Sequence, residues 1–294
     1  MLADPLYRRD QGRSALHLRL SHHVHASRPR PGCAAGRREP DRKPTPRPTR
    51  LETNGTLGAC TGRDDRGLRA NLWRVNSETH ITGWVDLGEF IEAYLPEDDV
   101  LAGARLRAEQ LGSPPVSCAT GATLSFLAAS VQAKAVVEIG TGAGVSGLYL
   151  LRGMTPDGVL TSIDIEPEFH RSARRSFLEA GYPAGRTRLI MGRALDVLSR
   201  LTTGGYDLVF ADAARVEYPG YFDLGVQLLR PGGVIAFHNV LAAGRIADPT
   251  RREPELLALR DVARAVREDT RLIPTLLPMG NGLLVAAMTT STTH

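Results

Sequence analysis

The feature that most constrains this chain is an alternation that begins at Lys134. Short, almost wholly apolar runs alternate with stretches of helical period. KAVVEI (134–139), VLTSID (159–164), TRLIMG (187–192), YDLVFAD (206–212) and GVIAFH (233–238) have the length and content of strands. GVSGLYLLRGM (144–154), PEFHRSARRSFLEAG (167–181), ALDVLSRL (194–201), YFDLGVQLLR (221–230) and residues 253–268 have the pattern of helices. Strands without polar alternation need cover on both faces. Five β–α units in a row therefore predict a doubly wound, Rossmann-like α/β domain with helices on both faces of a mostly parallel sheet. RLIPTLLP (271–278) and GLLVAAM (282–288) meet around Gly280-Asn281-Gly282, a hairpin signal that adds one antiparallel strand. Three helices precede the alternation: DLGEFIEAYL (86–95), DDVLAGARLRAEQLG (98–112) with an Asp cap, and ATGATLSFLAASV (119–131).

The segment before these helices has a different character. Residues 1–74 carry 16 Lys+Arg against 7 Asp+Glu, a net of +9, whereas residues 75–294 carry 20 against 25, a net of −5. The first segment has seven prolines and no apolar period, so it cannot bury enough surface to offset ordering its backbone. The chain therefore divides into a basic, disordered leader (1–74) and one α/β domain (75–294). Val75 is a candidate alternative translation start, in which case the leader would be absent from the native protein. The acidic domain offers no basic groove, which disfavours nucleic acid as a partner. Cys33, Cys60 and Cys118 are dispersed and show no C-x-x-C spacing, which suits reduced thiols in the cytoplasm. No run of 18 apolar residues occurs, so no membrane span is expected.

VVEIGTGAGVSG (136–147) is a strand, a glycine loop and a helix start. Such loops sit at the carboxyl ends of strands, where open α/β sheets bind ligands. Gly142-Ala143-Gly144-Val145-Ser146-Gly147 fits the G-x-G-x-x-G dinucleotide pattern, but it begins too far past the strand to seat a pyrophosphate. Two acids favour another ligand. Glu138, two residues before the first glycine, would repel a phosphate and attract an ammonium group. Asp164 closes the second strand, where a carboxylate can accept both ribose hydroxyls. S-adenosylmethionine has a ribose, an ammonium and a sulfonium, and no phosphate.

VVEIGTGAGVSGLYLL, LTSIDIEPE, YDLVFADA and LLRPGGVIAFHNVL resemble the class I S-adenosylmethionine-dependent methyltransferases. The similarity is strongest to small-molecule O-methyltransferases of the catechol and caffeoyl-CoA type and spans about residues 85–290. The resemblance implies methyl transfer from S-adenosylmethionine to a hydroxyl of a small, aromatic acceptor. It implies that Glu138, Gly140, Thr141, Gly142 and Ser146 hold the methionine end, with a backbone contact from Val116. Asp164 would take the ribose, Ile165 and Ala194 would border the adenine, and Asp212 would face the reacting methyl group. Relatives of this type often pair, so a homodimer is expected.

In the resembling family the strand matched by DLVFAD ends in a metal-binding Asp. A lysine base follows three residues later, and an Asp-Asn pair ends the next strand. Here Asp212 and Asn239 remain, His238 replaces the second acid, and Arg215 replaces the lysine. A guanidinium stays charged, so Arg215 cannot accept a proton, although it can stabilise a phenolate. Three readings stay open. Asp212, His238 and Asn239 bind a divalent metal softer than Mg²⁺; or no metal binds and His238 is the general base; or the chain binds S-adenosylmethionine without turnover. An NAD-dependent oxidoreductase is the alternative enzyme, disfavoured by Glu138 and by LLRPGG.

Overall fold

The computed structural model describes residues 81–290, with backbone alone for 81–86. The expectations for residues 1–74 and for a start at Val75 lie outside the described residues. Three helices come first: α1 (Ile81–Ala93), α2 (Asp99–Gln110) and α3 (Cys118–Ser130). The alternation follows as β1 (Ala135–Ile139), α4 (Val145–Gly153), β2 (Val159–Asp164), α5 (Pro167–Glu179) and β3 (Thr187–Met191). It continues as α6 (Ala194–Leu198), β4 (Tyr206–Ala211), α7 (Tyr218–Leu228), β5 (Leu229–Phe237), α8 (Pro254–Glu268), β6 (Leu272–Leu277) and β7 (Leu283–Met288).

The seven strands form one sheet in the order β3-β2-β1-β4-β5-β7-β6. The pairs among β1 to β5 are parallel, and β7 runs antiparallel to both β5 and β6. The expected antiparallel strand is thus β7, slotted inside the sheet, while β6 takes the edge. Pro274 lies in that edge strand, where a missing N–H is tolerated. The order reverses between β1 and β4, so the loops leaving these two strands diverge and open a crevice.

Side-chain alternation explains the continuous apolar strands. Val136, Leu208, Phe210 and Ala236 pack on one face with Leu124, Leu148 and Phe177 of α3, α4 and α5. Val137, Val209, Ala211 and Ile235 pack on the other with Tyr218, Phe222 and Leu259 of α7 and α8. Both faces are dry, as a covered parallel sheet requires. Asp98 caps α2 by accepting from the Leu101 amide at 3.0 Å, as the sequence suggests. The helix expected over 221–230 instead spans Tyr218–Leu228, with Pro219 in its first turn. Arg230 precedes Pro231, which disfavours helical backbone, so Leu229 and Arg230 open β5.

Candidate active site

Three strand ends build the floor of a cavity. One backbone hydrogen bond past each strand ties them together: Gly140 N–H to the Ile163 carbonyl (2.9 Å), Asp212 N–H to Ile139 (2.8 Å) and His238 N–H to Ala211 (3.0 Å). The loops beyond them enclose about 530 Å³. Val116, Gly140, Thr141, Gly142, Ser146, Asp164, Ile165, Ala194, Asp212, Arg215, His238 and Asn239 all line this space. Glu138 does not.

Gly140 adopts φ +97°, and a Cβ there would lie 2.2 Å from the Asp212 carbonyl oxygen. What demands a glycine at this point is therefore the end of β4 rather than a ligand. The acid at the end of β2 holds the same loop. Asp164 Oδ2 accepts from the amides of Thr141 (2.9 Å) and Gly142 (3.1 Å), and its Oδ1 accepts from the Glu166 amide (3.0 Å).

Glu138 is completely buried. It accepts from the hydroxyls of Ser146 (2.6 Å) and Ser162 (2.5 Å), and Ser162 in turn meets the Thr141 hydroxyl at 2.7 Å. Burial pushes the Glu138 carboxyl up to about 7, opposed by the two serine hydroxyls and aided by the charges of Asp212 and Asp164. Its influence on the cavity passes through Ser146, which does stand on the wall.

Asp212 and His238 end adjacent strands. His238 Nδ1 lies 3.0 Å from Asp212 Oδ1, out of line for a hydrogen bond. Both ring nitrogens are buried, and among the described residues neither has a hydrogen-bond partner. Nε2 faces Gly280, where a Cβ would approach it to 3.0 Å. The Tyr218 hydroxyl donates to the His238 carbonyl at 2.9 Å and fixes the backbone at this corner. Asn239 follows with φ 59°, a left-handed turn that asparagine tolerates. Arg215 borders the cavity, but its Nη1 pairs with Glu255 Oε2 of α8 at 3.1 Å.

Among the described residues, no three His, Cys, Asp or Glu side chains cluster as a metal site. The metal centre implied by the resemblance would rest on Asp212, His238 and Asn239, which contain only two side chains of those four types. Asp212 and Asn239 bring side-chain oxygens to the cavity wall, and His238 Nδ1 lies 3.0 Å from Asp212 Oδ1. The sequence reading missed several lining residues: Ser113, Pro114 and Pro115 before α3, Tyr221 of α7, and Asn281 at the hairpin tip. Asn281 was legible as a turn residue. Its place at the cavity follows from the pairing of β7 with β5, which draws the tip against Val240 and Leu241.

The sequence matches the family model described as O-methyltransferase over residues 101–288. A Mycobacterium avium (strain 104) protein, named as a proposed O-methyltransferase, is 53% identical over 195 residues, which cover 66% of this chain and 88% of the relative. The O-methyltransferase TomG from Streptomyces achromogenes, solved in complex with SAM, is 32% identical. It superposes with a TM-score of 0.63 over 70% of this chain and 96% of TomG. An O-methyltransferase from Bacillus cereus, solved in complex with SAH, is 26% identical with a TM-score of 0.65, over 71% of this chain and 100% of that one. The matched stretch runs from α2 to the last strand and carries every element that lines the cavity, so the chain belongs to the O-methyltransferase family.

Proposed function

We propose that the cavity binds S-adenosylmethionine and passes its methyl group to a hydroxyl of a small, aromatic acceptor, with Asp212 and His238 managing the acceptor proton. One observation carries the choice of cofactor. The Thr141 and Gly142 amides, which could cradle a pyrophosphate, are already donated to Asp164. A dinucleotide would find a carboxylate where it needs free N–H groups. A ribose with an ammonium and a sulfonium suits the same wall, since Asp164 and Asp212 bring negative charge to it and Ser146 offers a hydroxyl oxygen. The SAM and SAH complexes of the two structural relatives support the same cofactor.

Ser146 and Thr141 would hold the methionine end, Asp164 the ribose, and Ile165 and Ala194 the adenine. Asp212 would then stand on the side of the cavity where the methyl group is transferred. The acceptor hydroxyl donates to the Asp212 carboxylate, which aligns its oxygen with the methyl group. In-line placement supplies much of the rate. His238 stands behind Asp212 with Nδ1 3.0 Å from Oδ1, and a turn of its ring into line would let it hydrogen-bond the carboxylate as the hydroxyl gives up its proton. No step is assigned to a divalent metal; Asp212, His238 and Asn239 are the residues that would hold one, and it would lower the pKa of the acceptor hydroxyl.

No described helix is long and apolar enough to cross a membrane. We place the protein in the cytoplasm, where its dispersed cysteines stay reduced, and fractionation of the native host checks this. A homodimer is the expected state, and light scattering of the purified chain tests it. The function itself is tested by calorimetric titration of the full chain with S-adenosylmethionine. Transfer of a labelled methyl group to a panel of phenols and catechols follows, with and without EDTA. Binding and transfer that EDTA leaves unchanged are expected. A folded chain that takes up NAD and not S-adenosylmethionine overturns the reading, and transfer abolished by EDTA overturns its metal-free form.

A further inference from the structure

A side-chain network lies outside the cavity but controls one of its walls. Arg105 of α2 forms a two-pronged pair with Glu97: Nε donates to Oε2 at 2.8 Å and Nη2 to Oε1 at 2.5 Å. The remaining nitrogen, Nη1, donates to the Val116 carbonyl at 2.9 Å. The Tyr149 hydroxyl of α4 also donates to Glu97 Oε1 at 2.9 Å. Neither Glu97, Arg105 nor Tyr149 borders the cavity, yet residues 113–116, which Arg105 holds at their end, do. That segment abuts the glycine loop, since a Cβ on Gly142 would lie 3.0 Å from Ser113 Oγ.

The pair is mostly buried, with Glu97 10% and Arg105 22% exposed. Burial pushes the Glu97 carboxyl up, but the Arg105 fork and the Tyr149 hydroxyl outweigh it and the group ends below its usual range. A buried ion pair adds little net stability over apolar packing, because desolvation offsets the attraction. What this pair supplies is direction. A planar guanidinium that engages both Glu97 oxygens through Nε and Nη2 has its Nη1 fixed in direction, and Nη1 meets the Val116 carbonyl. Gly121 of α3 makes room for the arrangement, since a Cβ there would lie 2.2 Å from the Tyr149 ring.

We infer that Arg105, oriented by Glu97 and Tyr149, is a positioning residue that sets the 113–116 wall against the methionine end of S-adenosylmethionine, and so governs cofactor affinity without touching the cofactor. The inference rests on the cofactor reading given above. It predicts a split between binding and turnover. A wall that is displaced weakens the cofactor complex, while Asp212 and His238, on the far strand ends, keep their geometry.

The test uses the full chain with four substitutions: Arg105→Met, Arg105→Lys, Glu97→Gln and Arg152→Met. Arg152 pairs with Asp98 at 2.6 Å, next to Glu97 in sequence, and its side-chain hydrogen bond goes to Asp98 rather than to the wall segment. It controls for the loss of any ion pair in this region. Dissociation constant, KM for S-adenosylmethionine and kcat are measured for each variant. Arg105→Met is expected to raise the dissociation constant and KM about tenfold, as loss of a charged hydrogen bond to the wall would. Its kcat should stay within about twofold of wild type. Arg105→Lys, which keeps the charge but not the fork, should fall between, Glu97→Gln should follow Arg105→Met in direction, and Arg152→Met should bind as wild type does. If Arg105→Met does not fold, Arg105→Lys decides by the same split. Wild type that binds S-adenosylmethionine while both Arg105 variants bind it equally well overturns the positioning role alone. A fall in kcat with KM unchanged does the same. Wild type that does not bind the cofactor overturns both readings together.

Discussion

Ser146 stands between Glu138 and the cavity: its hydroxyl donates to the buried carboxylate at 2.6 Å while the residue itself lines the wall. A carboxylate two residues ahead of a glycine loop suggests direct contact with a cationic ligand. The structure instead sets it one hydroxyl away, where burial raises it to about 7. An acid whose folded value exceeds its unfolded value favours the native state while protonated. That contribution is complete below about 4.5 and is lost as pH rises through about 7. Glu138→Gln cannot ionise and should escape the loss. Between pH 4.5 and 8 the wild type should lose on the order of 3 kcal/mol relative to the variant. Urea unfolding of both proteins at the two pH values measures the difference, and parallel pH profiles would rule the effect out.

Two glycines with left-handed backbone should respond very differently to alanine. Gly112 has φ +68°, and a methyl group added there would meet nothing within 4 Å, so Gly112→Ala faces backbone strain alone, about 1–2 kcal/mol. Gly140 adds a collision with the Asp212 carbonyl oxygen at 2.2 Å, and neither backbone can move without breaking the bonds that tie β1 to β4. Gly140→Ala should cost at least about 3 kcal/mol, from overpacking and strain together. Denaturant unfolding of the two variants checks the order. Equal losses would mean that the strand ends separate easily.

The strand–helix alternation was legible because the central strands β1, β4 and β5 are covered on both faces, so their apolar content survives without any knowledge of partners. The acids at the strand ends were legible as candidates for the same reason: Asp164 and Asp212 interrupt otherwise apolar runs. Their hydrogen bonds were not. Glu138 meets Ser162 because the two are register partners across β1 and β2, 24 residues apart in sequence. Asp164 spends an oxygen on loop amides because the glycine turn folds back over β2. The end of α7 was misplaced because apolar Leu228 and Leu229 fit a helix period as well as a strand, and Pro231 decides between them. Asn281 and the Arg105 fork depend on contacts between elements far apart in the chain, which no local pattern encodes.

Tyr218 is fully buried, and its hydroxyl donates to the His238 carbonyl at 2.9 Å. Tyr218→Phe keeps the ring packing against Phe237, 5.4 Å away between centroids, and removes the donor. A buried carbonyl left without its partner costs about 1–3 kcal/mol. The same change frees the backbone that carries His238 and Asn239. The variant should unfold at lower denaturant and turn over more slowly, with its affinity for S-adenosylmethionine unchanged. Wild-type kcat in Tyr218→Phe would show that this corner needs no anchor.

Asp212 and Arg215 are three residues apart, and the structure gives them unequal prospects in catalysis. The Asp212 carboxylate borders the cavity, with the His238 ring behind it. Arg215 borders it too, but its guanidinium is held by Glu255 in a half-exposed pair that contributes little stability. If Asp212 receives the acceptor proton, Asp212→Asn removes a general base and should lower kcat by roughly 10² to 10⁴. S-adenosylmethionine binding should weaken no more than severalfold, since Asp164 and Ser146 remain. Arg215→Met should lower kcat by less than about tenfold, because its charge is already shared with Glu255. Single-turnover methyl transfer, read beside calorimetric affinity, separates chemistry from binding in both variants. A larger loss in Arg215→Met than in Asp212→Asn would move the centre of the reaction from the carboxylate to the guanidinium, with stabilisation of a phenolate as its main device.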